Sequence, residues 1–176
     1  MNAPALPGHI RQIGFVVTDL DRSLASWLAI GVGPWYVLRG QHQSALYRGE
    51  PCEVTLAIAF ANSGDMQIKV IQQENDAPSI YTEFLAERGE GFNQFAYWAD
   101  DFDATVQSLR DAGWPVVWSG GEGDGVRYAY VEPPGGPSAI LEIMELNEAT
   151  TGLADFVRAA ADGWDGTDPV RNLLGE

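Results

Sequence analysis

The chain has 176 residues, 45% of them hydrophobic and 20% charged, which is enough apolar side chain to bury a core and too little charge for disorder. Twenty-five acids against ten bases give a net charge of −15, which repels phosphate backbones and anionic lipid, so nucleic acid and membrane surfaces are excluded as partners. A single cysteine, Cys52, excludes a disulfide framework and a thiolate zinc site. No apolar run approaches the ~20 residues that span a bilayer, and no basic n-region with an h-region opens the chain, so a cytoplasmic protein is expected.

Residues 10–17 form a β-type run, and Thr18-Asp19 then caps a helix over 20–30 with Leu20, Leu24, Trp27 and Leu28 at helical spacing. Gly31-Val-Gly-Pro34 breaks it before a short strand at 35–38. Residues 39–52 are polar and carry no clear period. Two strands at 54–60 and 66–72 flank a turn, Asn62-Ser-Gly-Asp65. Residues 73–91 read as an internal linker around a short helix at 80–87. A second strand–helix unit covers 92–99 and 102–112, with strands at 115–118, 127–131 and 139–144. The final 30 residues hold a short amphipathic helix (Leu153, Phe156, Val157, Ala160), expected to cover a flank of the domain or a partner subunit, and an acidic tail.

The two halves repeat each other. Gln12-Ile-Gly-Phe-Val-Val-Thr-Asp-Leu-Asp21 aligns without gaps on Gln94-Phe-Ala-Tyr-Trp-Ala-Asp-Asp-Phe-Asp103, and Gln67-Ile-Lys-Val-Ile71 aligns on Ile140-Leu-Glu-Ile-Met144. The chain therefore reads as a duplicated βαβββ module. Other signals are weak. Gly120-Gly-Glu-Gly-Asp-Gly125 holds two acids and precedes no helix, so it is a hairpin loop rather than a phosphate cradle. Asp100, Asp101 and Asp103, like Asp19 and Asp21, suit a helix N-terminus rather than a cation site. The turn-rich stretch Trp164-Asp-Gly-Thr-Asp-Pro169 has no assignment. No Gly-x-Ser-x-Gly, Walker or dinucleotide fingerprint occurs, and no cofactor is expected.

These motifs resemble the vicinal oxygen chelate superfamily, the glyoxalase, bleomycin-resistance and methylmalonyl-CoA epimerase group. Its first strand usually reads His-Ile-Gly-x-x-Val-x-Asp-Leu-Asp, matched here at residues 12–21. Its third-quarter signature is matched by Gly91-Phe-Asn-Gln-Phe-Ala-Tyr-Trp-Ala-Asp-Asp-Phe102 and its closing strand by Leu141-Glu-Ile143. Gly33-Pro34-Trp35 and Gly125-Val-Arg-Tyr-Ala-Tyr130 are also similar. The resemblance covers residues 8–146. It implies an α+β fold in which two tandem βαβββ modules, about 8–74 and 90–146, form a cup-shaped mixed sheet. Residues 147–176 add a C-terminal helical extension, and a homodimer is expected.

Enzymes of that superfamily bind a divalent metal at the centre of the cup, and the equivalent positions here are Gln12, Lys69, Gln94 and Glu142. The resemblance implies that these positions point inward, and period-2 geometry supports them as a set, each mid-strand on a face shared with its i±2 neighbours. A protonated lysine has no lone pair and brings positive charge to the metal's place, while glutamine is a weak ligand. His9, on the opposite face of a regular strand, and His42, in a loop, do not replace the missing donors. The expectation is a metal-free site, in which Lys69 pairs with Glu142.

The resemblance then implies an enzyme, a lyase or isomerase, acting by proton transfer on a small hydrophobic carbonyl or CoA-linked substrate: isomerisation, epimerisation or elimination. Glu142 is the expected acid/base, Lys69 its electrostatic partner, and Gln12 and Gln94 orienting amides. Pairing with Lys69 and service as a base compete for the same carboxylate. Val16, Ile71, Trp98 and Met144 share the inward faces and suggest a small organic ligand with a ring or chain. Two alternatives stay open: a non-catalytic binding protein like the drug-sequestering members of the group, and a metal-dependent lyase or isomerase.

Overall fold

The computed structural model describes residues 6–123 and 125–175. Module one comprises β1 (Gln12–Val16), α1 (Leu20–Ala29), β2 (Trp35–Tyr47), β3 (Glu50–Ser63) and β4 (Met66–Gln73). After α2 (Ile80–Arg88), module two repeats the order with β5 (Gly91–Ala99), α3 (Phe102–Asp111), β6 (Val116–Gly120), β7 (Tyr128–Val131) and β8 (Ile140–Glu145). The chain finishes with α4 (Glu148–Ala161) and β9 (Val170–Asn172).

The strand order is β3-β4-β1-β5-β8-β7-β6-β2, and β2 pairs back onto β3, so eight strands close into a cup; β9 adds to the start of β2. Equivalent strands pair alike in the two modules. β1 runs parallel to β4 with Gln12 opposite Gln67, and β5 runs parallel to β8 with Gln94 opposite Ile140. An antiparallel β1–β5 ladder joins the modules.

Strand alternation sorts the core into layers. On β4, Ile68 and Val70 point outward into a cluster with Leu20 and Leu24 of α1, while Ile71 belongs to the inner cluster. On β8, Leu141 and Ile143 pack outward against Val106 and Leu109 of α3. Lys69 and Glu142, one step out of phase, are left on the inner face. Asp19 and Asp101 cap α1 and α3, accepting from the Arg22 and Ala104 amides at 3.0 Å each. The loop between β6 and β7 is a hairpin connection, as its acids and lack of a following helix require; Asp124 within it lies outside the described residues.

Three segments differ from the sequence reading. β2 runs on through Tyr47 instead of ending at 38, because its polar stretch pairs with β3 from Gln41 to Tyr47 and ends in a two-residue turn, Arg48-Gly49, with both φ positive. One face of that hairpin is solvated, which erased the apolar period. His42 accordingly sits in a strand, exposed, with Nδ1 3.2 Å from Thr55 Oγ1. The 73–91 stretch holds its expected helix as α2 but is packed rather than a linker: Ser79 and Thr82 form a reciprocal capping box, and Ile80, Tyr81 and Phe84 are buried in the inner cluster. β9, which the sequence reading lacks, is too short to show a period.

The C-terminal extension folds back over module one. Val157 is fully buried in the inner cluster, Arg158 pairs with Asp65 at 2.8 Å, and the Phe156 ring lies 4.7 Å from Tyr36. The turn after α4 seats Trp164 against Gly33, where an added Cβ would meet the indole at 2.8 Å. None of the helices among the described residues is long and apolar enough to cross a membrane.

Candidate functional site

The inner face of the cup encloses a cavity of about 300 Å³. Its floor carries Lys69 from β4 and Glu142 from β8, the equivalent positions of the two modules. Lys69 Nζ lies 2.7 Å from Glu142 Oε2, and the two side chains are only 6% and 2% exposed. Gln94 Nε2 donates to the same Oε2. The hydrogen bonds this carboxylate receives among the described residues thus all fall on one oxygen. Gln12 Nε2 donates to Oε1 of Gln67, its register partner on β4. That leaves Gln12 Oε1 and Gln94 Oε1 buried without a hydrogen-bond partner, and the Trp98 indole N–H is in the same condition.

Gln12, Lys69, Ile71, Trp98, Glu142 and Met144 line the cavity together. Gln94 touches Glu142 from behind, folded over Gly14, where any Cβ would lie 2.4 Å from Gln94 Cγ. Val16 does not reach the cavity wall; it is fully buried in the inner cluster. His9 precedes β1 and is exposed.

Sequence reasoning missed a tyrosine layer. Tyr130 stands opposite Glu142 in the β7–β8 ladder, its ring 6.0 Å from Lys69 Nζ, and its hydroxyl lies 3.1 Å from that of Tyr81 on α2. Burial pushes both phenols well above the ordinary tyrosine range, and the Glu142 charge pushes Tyr130 further in the same direction. Tyr128, two residues before Tyr130 on the same strand face, donates to Gln43 Oε1 at 3.3 Å. The period-2 spacing of Tyr128 and Tyr130 was a usable signal for β7. Tyr81 gave none, because its segment reads as a linker. Ala149, Thr150 and Leu153 of α4 form another part of the wall.

The donor set does not fit a divalent metal. The one carboxylate is held by an ammonium, the other two neighbours are amides, and among the described residues no three His, Cys, Asp or Glu side chains gather as a site.

The closed cup of two βαβββ modules, with its polar floor at the module junction, defines the glyoxalase architecture. The sequence matches the Glyoxalase/Bleomycin resistance protein/Dioxygenase superfamily over residues 11–130, and the chain belongs to that family. Solved structures with the same fold include a variant of Streptomyces coelicolor methylmalonyl-CoA epimerase bound to 2-nitronate-propionyl-CoA (21% identity, TM-score 0.58, 82% of this chain and 97% of that one). Methylmalonyl-CoA epimerase from Mycobacterium tuberculosis matches at 20% identity and TM-score 0.57, over 86% and 97% of the two chains. A hypothetical protein from Bacillus halodurans matches at 18% and 0.58, over 80% and 95%. No curated protein matches the sequence.

Proposed function

We propose that this chain is a metal-independent enzyme of its superfamily that moves a proton on a carbon beside a carbonyl of a small organic substrate. The buried Lys69–Glu142 pair on the floor of the cup carries this reading. An ammonium has three N–H donors and Glu142 takes one. A substrate carbonyl can therefore accept a second without breaking the pair, and Lys69 then stabilises negative charge as it builds on that oxygen. Glu142 Oε2 is engaged by Lys69 and Gln94, so Oε1 is the oxygen that takes the proton from carbon and returns it. The competition between ion pair and base is thereby divided between two oxygens of one carboxylate. The epimerases that share the fold support proton transfer as the chemistry.

The test is deuterium exchange beside the carbonyl of enolisable ring ketones in heavy water, followed by proton NMR. Wild-type protein stripped with chelator accelerates exchange, and Glu142→Gln and Lys69→Met do not. Exchange that survives Glu142→Gln, or that vanishes with the chelator and returns with added manganese, overturns the proposal. A ketone that binds but exchanges no faster than in buffer returns a second reading, sequestration without turnover. The double engagement of Glu142 Oε2 favours that alternative.

A further inference from the structure

The cup floor is polar but carries no net charge. Lys69 and Glu142 neutralise each other, and neither is more than 6% exposed. Around them the wall is aromatic and aliphatic, with Phe60, Trp98, Tyr128, Tyr130, Met144 and Leu153. A charged ligand group entering here finds no countercharge left over, and an unpaired buried ion is strongly disfavoured.

Phosphate-bearing ligands are disfavoured by the distribution of bases. Seven of the ten (Arg22, Arg39, Arg48, Lys69, Arg127, Arg158 and Arg171) already sit in ion pairs. The other three, Arg11, Arg88 and Arg110, do not line the cavity, and the Arg11 guanidinium is engaged with the Trp98 ring, 4.5 Å from its centre. The net charge of −15 works in the same direction.

The cavity of about 300 Å³ is roughly twice the ~150 Å³ apolar cavity that accepts a benzene, which is space for one or two rings. Its size is limited by α4, from beyond the residues that match the family, through Ala149, Thr150 and Leu153.

We propose that the cup takes an uncharged molecule of one or two rings, and that α4 sets its size. This rests on the cup being the ligand site; it narrows the substrate to a free ring compound and away from a CoA thioester.

The test is isothermal calorimetry on the full chain with hydroxytetralone, hydroxynaphthoate and coenzyme A as probes. Hydroxytetralone binds saturably at one site. The carboxylate and coenzyme A bind at least about a hundredfold more weakly, as uncompensated charge burial requires. Leu153→Trp, which fills the cavity from α4, abolishes binding while thermal unfolding stays cooperative. Comparable affinity for either charged probe, no saturable binding of the ketone, or wild-type affinity in Leu153→Trp overturns the proposal. No turnover is read, so a non-catalytic protein passes this test, whereas a catalyst for a charged substrate fails it.

Discussion

Lys69→Met removes the ammonium while keeping an unbranched stem of similar length. Glu142, 2% exposed, is then left with the Gln94 amide as its hydrogen-bond donor. Removing one partner of a buried ion pair costs about 3–5 kcal/mol, because the remaining charge stays desolvated without its counterion. That is a large part of the roughly 5–15 kcal/mol by which domains are stable. Glu142→Met strands the ammonium among aromatic rings and costs a similar amount. The double variant buries no charge, and two methionines fill the floor, so it lies within about 1 kcal/mol of wild type or above it. The expected coupling energy is therefore several kcal/mol, beyond the roughly 0.5–3 kcal/mol usual for touching residues. Urea unfolding followed by tryptophan fluorescence measures all four proteins, with a common m-value confirming that the unfolded states match. Single variants that each lose less than about 1 kcal/mol and add up in the double would place the pair with solvated surface bridges and refute the buried-floor reasoning.

Gly14→Ala puts a Cβ 2.4 Å from Gln94 Cγ, so the Gln94 side chain must leave Glu142; a loss of about 1–3 kcal/mol is expected from the overpacking, with a changed floor visible in a crystal structure. Tyr81 and Tyr130 have folded-state values raised above the ordinary 10.0. The unfolded chain ionises first, so their contribution is intact below about pH 10 and falls as pH climbs past it. Tyr81→Phe and Tyr130→Phe flatten that alkaline limb in unfolding measurements across pH, and an unchanged limb in both refutes the assignment. The Arg48 guanidinium and the Tyr47 hydroxyl hold Glu83 below its ordinary 4.5. That stability is present above this value and is lost as pH drops through the lower folded value, so Glu83→Gln makes the acid limb of unfolding shallower.

The duplicated architecture was legible because each module repeats its motif at the same strand register: Gln12 lies on β1 and Gln94 on β5, and Lys69 and Glu142 follow on β4 and β8. Alternation along these short, half-buried strands also fixed which face looks inward. What escaped notice has other physical sources. Tyr81 reaches the site on a helix positioned by its Ser79 cap and by burial of Phe84, which are tertiary effects with no periodic trace. Leu153 was visible as part of an amphipathic helix, but where that helix docks is set by burial of Val157 in the inner cluster, a tertiary contact that the helical period does not reveal. Val16 shares the strand phase of Gln12, yet it is fully buried in the inner cluster and is not part of the cavity wall.

The equivalence of positions 69 and 142 has a further consequence. If two identical chains met about a two-fold axis, the residues facing each other there would have to be the same: two lysines or two glutamates, repelling at contact distance. Opposite charges 2.7 Å apart at such a point require two halves that differ in sequence but match in shape. Joining the modules in one polypeptide makes this possible, since each half can be altered alone while the shared barrel keeps its geometry. The asymmetry also gives the floor a direction, with a cation contributed by one module and an anion by the other, a polarity that two identical halves could not have.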